Sequence, residues 1–204
     1  MSSRDEILAR IRKNQPAPTA LPEVPTFDTG GGPLLERFKE GVARMGGKVA
    51  DAPANGDVKA LIAQLFPDAR VICSATDEVV GNRPLDALRP PAELADVDVG
   101  VVRGVFGVAE TGSVWLTEAQ FKVAALGFLS QHLVVLLDPA RIVGNMHNAY
   151  RERAQFDAPY GVFMTGPSAT ADIEGVLIHG AQGIRSLTVV LAPSGRPAPA
   201  SSSA

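Results

Sequence analysis

The chain has 204 residues, 46% of them hydrophobic and 20% charged, with a formal net charge of −3. That is enough apolar material for a sizeable core, and 19 basic against 22 acidic residues excludes a nucleic-acid binder working through bulk charge. A single cysteine, Cys73, excludes an internal disulfide, a cysteine-rich zinc site and a cysteine-ligated iron–sulfur cluster.

The first residues, Met-Ser-Ser-Arg-Asp-Glu-Ile-Leu, lack the apolar core of a signal peptide. Ser3 and Glu6 have the spacing of a capping box, and Ile7, Leu8 and Ile11 form an apolar stripe. Residues 1–14 are therefore expected to form a helical arm that packs back on the core or on a partner. Pro16, Pro18, Pro22, Pro25 and Pro33 mark residues 15–33 as a Pro/Gly-rich linker. Pro193, Pro197 and Pro199, with a final Ser-Ser-Ser-Ala, mark 193–204 as a flexible tail.

Residues 34–192 alternate helix and strand signals. Leu34, Leu35, Phe38, Val42 and Met45 recur at helical spacing, and Gly46-Gly47 ends that helix. Val49-Ala50 suggests a short strand. Val58, Leu61, Ile62 and Leu65 form one face of a second helix that stops at Pro67. Strands are expected at 70–74, 98–105, 112–117, 133–137, 161–165 and 187–191. The unbroken run Leu133-Val-Val-Leu-Leu137 reads as a strand buried on both faces. Asp138-Pro139 has the cap-plus-proline pattern that opens a helix, with Ile142, Val143, Met146 and Tyr150 inward and Asn145 and His147 toward solvent. A short helix is expected over 171–179. This alternation predicts an α/β domain with a largely parallel sheet flanked by helices. The most apolar window, Val123 to Leu137, is broken by Ser130, Gln131 and His132. It falls short of the ~20 residues a spanning helix needs, so a cytoplasmic protein is expected.

Three segments carry candidate chemistry. In Thr165-Gly-Pro-Ser-Ala-Thr-Ala-Asp-Ile-Glu174 a strand enters a small-residue loop and then a helix. Free backbone N–H groups there, beside Ser168 and Thr170, suit a phosphate or carboxylate. Such a loop is expected at the C-terminal ends of the parallel strands, where open sheets bind ligands. Asp172 either caps the helix or holds a substrate hydroxyl, and Glu174 adds a second negative charge. The same residues also read as an ordinary turn and cap. In Gly104-Val-Phe-Gly-Val-Ala-Glu-Thr-Gly-Ser113 a tight strand-to-strand turn presents Glu110. A carboxylate among small residues is a candidate base, nucleophile or hydrogen-bond acceptor, or simply a polar turn residue. In the following glycine-punctuated stretch, Arg185 is placed to reach an anion, and His179 reads as a C-terminal cap. His132 and His147 have no partners at ligand spacing, so no metal site is expected. Cys73 and Trp115 read as core.

Ala109-Glu-Thr-Gly-Ser113 and Gly166-Pro-Ser-Ala-Thr-Ala-Asp-Ile-Glu-Gly175, followed by the turn with Arg185, resemble the lactate-utilisation C family. This is the YkgG-like group, which carries the LUD domain. The resemblance spans most of the chain. It implies the fold class of the NagB/RpiA/CoA-transferase-like sandwich. It also implies a part in bacterial oxidation of L-lactate to pyruvate, beside partner proteins that carry the iron–sulfur centres. This chain is then expected to hold no cofactor itself. It would act as an accessory or small-anion-binding subunit, with Glu110 as candidate catalytic residue. Thr111, Gly112, Gly166, Ser168, Thr170, Asp172, Glu174 and Arg185 are the candidate ligand contacts. A free-standing enzyme on an organic acid, sugar phosphate or folate, and a non-enzymatic sensor or scaffold, are the other readings. The family commonly shows Gly-x-His-Gly-Pro-Arg at the C-terminal turn, whereas this chain has Gly180-Ala-Gln-Gly-Ile-Arg185. Gln182 cannot titrate as a histidine does, but Arg185 remains to pair with a carboxylate.

Overall fold

The structure is a computed structural model, described here over residues 2–27, 31–85, 90–151, 158–171, 174–180 and 182–194. Its centre is a five-stranded parallel sheet of β1 (Lys48–Asp51), β2 (Ile72–Ser74), β3 (Val99–Arg103), β6 (His132–Leu137) and β11 (Ser186–Leu191), in the order β1-β11-β6-β3-β2. β6 is the middle strand, which explains its unbroken apolar run: both faces are covered. Its side chains alternate between two cores. Leu133, Val135 and Leu137 join one, and Val134 and Leu136 join the other.

On the second face lies α3 (Val58–Leu65), which buries Val58 and Ile62. Asp57 caps it by accepting from Ala60 N at 2.9 Å. On the first face lies a second, four-stranded sheet that strand–helix alternation does not predict. It contains β4 (Phe106–Val108), β5 (Ser113–Thr117), β7 (Ile142–Val143) and β8 (Gly161–Met164), in the order β7-β4-β5-β8. β5 is antiparallel to both β4 and β8, while β7 runs parallel to β4. Val114, Leu116, Ile142 and Met164 pack this sheet on the central one. Its outer face, with Phe106, Val108 and Trp115, receives Ala149 of α6 (Met146–Arg151). The fold is thus mixed α/β in layers, with helix covering one face of the parallel sheet and a mixed sheet the other.

α2 (Leu34–Arg44) packs beside both sheets and buries Phe38, Gly41 and Val42. α4 (Glu118–Phe121) and α5 (Leu126–Leu129) follow β5, and Phe121 and Leu126 fill the same core. α1 (Ser3–Lys13) buries none of its residues; Ile7 and Ile11 are exposed. Its capping box uses Ser2 and Asp5, one residue earlier than the sequence pattern suggests.

Three further expectations are corrected. Asp138-Pro139 opens only a 3₁₀ turn, Pro139–Arg141, because the next residues are taken into β7. Ile142 and Val143 are therefore strand residues, Tyr150 is exposed, and Asn145 is buried. Among the described residues of 171–179 there is no helix. Ala169–Thr170 (β9) and Ile178–His179 (β10) instead form a two-stranded antiparallel hairpin.

Candidate functional site

The fold brings the two motif segments together against α2. The turn between β4 and β5 holds Glu110, Thr111 and Gly112. Gly112 has φ +66°, and an added Cβ there would lie 2.2 Å from Val42 N and 2.3 Å from Gly41 C. Only glycine lets the turn and helix approach so closely. Gly166, φ +61°, meets the Met45 carbonyl one turn further along in the same way, at 2.1 Å from an added Cβ. Between them, the Thr165 hydroxyl donates to Thr111 O at 3.1 Å. The Thr111 hydroxyl oxygen accepts from Ser113 Oγ at 2.7 Å. Glu110 is exposed, and its Oε2 accepts from Met146 N at 3.0 Å, at the first turn of α6. Its own N–H donates to Gly144 O at 3.2 Å.

The loop after β8 does not lie at the C-terminal ends of the parallel strands. It lies at their N-terminal edge, because β8 belongs to the second sheet. Ser168 N donates to Ile184 O at 3.0 Å, Gly180 N donates to Ser168 O at 2.7 Å, and Arg185 N donates to Gln131 O at 2.8 Å. The Ser168 N–H is thus already used by the chain. Thr170 pairs with Ile178 in the hairpin, Glu174 is exposed with φ +53°, and Arg185 is exposed. Asp172 lies outside the described residues. Close to Arg185, His132 Nδ1 pairs with Ser186 Oγ at 2.8 Å and its ring stacks on Phe66. Burial, helped by the charges of Arg185 and Lys48, holds His132 below its ordinary pKa against the pull of Asp98.

The C-terminal edge of the parallel sheet carries charged groups that are bound to one another. Arg103 forms a two-pronged pair with Glu78 and donates to Ala192 O at 3.0 Å. Asp138 is buried. Burial pushes its pKa up, but the Ser194 hydroxyl and N–H, the Ala140 N–H and Arg103 outweigh that and hold it low.

A cavity of about 390 Å³ opens between α2 and the start of α6. Leu34 and Arg37 of α2 form one wall, Val143, Gly144 and Asn145 another, and Asn148 a third. Asn145 and Asn148 cap α6 reciprocally: Asn148 N donates to Asn145 Oδ1 at 2.9 Å and Asn145 N to Asn148 Oδ1 at 3.1 Å. Arg37 Nη2 reaches Gly144 O at 3.5 Å. The linker crosses this opening. Asn145 Nδ2 donates to Thr26 O at 2.7 Å, and the Phe27 ring lies 5.2 Å from that of His147. The sequence placed Asn145 toward solvent and did not single out Arg37 or Asn148. The available signal was the Asn-x-x-Asn spacing directly after a short apolar pair, which marks a capped helix start.

Among the described residues no cluster of three or more His, Cys, Asp or Glu side chains is arranged to hold a metal ion. Among them, too, no helix is long and apolar enough to cross a membrane.

Comparison with known proteins adds three findings. An uncharacterised protein of Neisseria meningitidis serogroup B is 26% identical over 220 aligned positions, covering 93% of each chain. The crystal structure of a DUF162 family protein from Deinococcus radiodurans superposes with a TM-score of 0.60 at 19% identity, over 78% of this chain and 95% of that one. That likeness shows a shared fold. A LUD domain profile matches residues 86–192, which include the turn of Glu110, the capped start of α6 and the loop to Arg185. The chain belongs to the LUD domain family, a lactate-utilisation-related family.

Proposed function

We propose that this protein is a component of bacterial L-lactate utilisation. It serves the oxidation of lactate to pyruvate as an accessory, small-anion-binding subunit beside iron–sulfur partner proteins in the cytoplasm. LUD family membership over residues 86–192 carries this reading. The chemistry of the chain supports the division of labour. Its single cysteine, Cys73, is fully buried in β2. Burial pushes its thiol pKa up, against Arg83 and the Ser74 N–H, so it is neither a cluster ligand nor a ready nucleophile. Electrons from lactate then pass through partners. Glu110 has more support as a brace than as a nucleophile, since one carboxylate oxygen holds the Met146 N–H. The layering of a parallel sheet between helix and mixed sheet supports placement in the NagB/RpiA/CoA-transferase-like group. We read residues 34–192 as the working unit, with 1–14 as an arm, 15–33 as linker and 193–204 as tail.

The test is genetic and biochemical. A deletion strain lacking any second lactate oxidase should fail to grow on L-lactate and recover with the full chain. The tagged chain should co-purify with iron-containing proteins and oxidise no lactate alone. Normal growth of the deletion strain would overturn the assignment.

A further inference from the structure

We propose that the helical arm α1 docks on a second copy of this chain, its apolar stripe lying in the groove beside β2 that Pro84, Leu85, Pro90, Pro91, Leu94 and Val123 line. Two copies that exchange arms in this way form a two-fold dimer.

The arm is a helix built to persist but left without a surface. Ser2 and Asp5 close its capping box, with acidic residues in the first turn and basic ones in the last. Yet it has 11 residues, and helices shorter than about 12–15 residues are marginal alone in water. Ile7, Leu8 and Ile11 share one side, and Ile7 and Ile11 are 56% and 53% exposed. Arg10 and Arg12 fall on the two sides of that stripe.

The groove suits a helix. It encloses about 930 Å³ where the segment after β2 runs beside a 3₁₀ turn, Pro91–Leu94. Pro84, Pro90 and Pro91 have no N–H, so this rim is poor at adding a strand, whereas a helix satisfies its own backbone and presents side chains. Arg83 closes on Asp96 in a two-pronged pair and donates to Glu93 O at 3.3 Å, so the guanidinium of the groove is engaged within its own chain. Leu85, Leu94 and Val123 supply the apolar surface for the stripe.

Charge and tethering name the second copy. Residues 1–14 carry four basic and two acidic side chains, and the rest of the chain carries fifteen and twenty. The arm is therefore positive and the body negative, and the body of another copy attracts it. The linker is pinned where Asn145 Nδ2 donates to Thr26 O at 2.7 Å, next to β7, on which α2 also packs; α2 in turn packs on β1. The groove flanks β2, where Arg83 bridges Cys73. β1 and β2 are the opposite edges of the central sheet, so the arm leaves the domain on the side away from its own groove.

The experiment is sedimentation velocity of the full chain over a range of concentrations. A reversible monomer–dimer equilibrium should appear, and it should weaken as salt is added. Ile7→Gln/Ile11→Gln removes the stripe but keeps good helix formers. Ala92→Arg sets a long cation on the exposed rim of the groove. Each should weaken dimerisation at least about tenfold, the effect of leaving a large apolar side chain unburied. Thermal melts at a concentration where the parent is monomeric should match the parent. Mixing the two variants should restore association, because the intact arm of one still meets the intact groove of the other. A chain monomeric at every concentration, a dimer that survives either variant, or variants that fail to complement each other would overturn the proposal. An arm seated in its own groove, or kept for a different protein, would show as the first of these.

Discussion

The C-terminal edge of the parallel sheet and the cavity beside α2 both gather polar side chains, but they use them differently. At the sheet edge Glu78 grips Arg103, and Asp138 is filled by Ser194 and Ala140. Those groups are satisfied by one another and close the edge. At the cavity, Asn145 and Asn148 cap a helix, yet Asn148 and Arg37 still border open space. Open parallel sheets commonly bind ligands at their C-terminal edge. Here that edge is occupied by pairs that tie β3 and β6 to the segment following β11. Position in a fold is therefore a weaker guide to a site than the open space its polar groups border.

Substitutions on the two sides should separate these roles. The largest effect is expected at Gly112. Gly112→Ala places a methyl group against Val42 N at a positive φ, and should cost about 3 kcal/mol, read as a lower midpoint in urea unfolding. A shift of a few tenths of a kcal/mol would show that turn and helix are not tightly joined.

Next is Asp138→Asn at the sheet edge. An amide nitrogen must then face one of the three donors that the carboxylate now accepts, at a cost of about 1–3 kcal/mol. The folded pKa of Asp138 is depressed below 3.8, so its contribution is present above that value and lost as pH falls through the folded pKa. The parent should therefore lose more stability than the variant on acidification below about pH 4, measured by thermal melts across that range.

Glu110→Ala should cost about 1 kcal/mol, the value of a lost helix-start contact, whereas Glu110→Gln keeps an acceptor for Met146 N and should cost less. Equal losses would mean that charge, not the acceptor, matters there. The smallest effect belongs to Ser168→Ala. Its backbone bonds persist and the change should stay within about 0.5 kcal/mol.

His132 supplies a pH test at the opposite, N-terminal edge. Its folded pKa lies below 6.5, so folding stability is full above that value and falls as the unfolded chain takes up the proton first. His132→Gln should flatten the thermal-melt profile below pH 6.5. An unchanged profile would remove His132 from the acid response.

Much of the fold was legible because periodicity reports burial directly. The runs at Leu133–Leu137 and Leu187–Leu191 mark the central strands, and the stripe of Leu34, Phe38 and Val42 marks α2. The second sheet was not legible. Its strands β4 and β7 are three and two residues long, too short for a period to declare itself. The Asp138-Pro139 pattern pointed to a helix, but Ile142 and Val143 gain more by pairing with Gly107 and Val108 in a buried sheet.

Of the candidate residues, the sequence determined the glycines, the turn of Glu110 and the family, since these rest on local geometry and on residue identity. It also determined that a single cysteine, Cys73, cannot by itself ligate an iron–sulfur cluster. Only the tertiary structure decided where the segments meet. It set the Gly166 loop at the N-terminal edge, because β8 joined the other sheet. It brought Arg37 to within reach of Gly144, 107 positions away in the chain. Such a contact leaves no trace in local spacing: it exists because α2 packs against β7, and the chain runs from β7 directly into the start of α6.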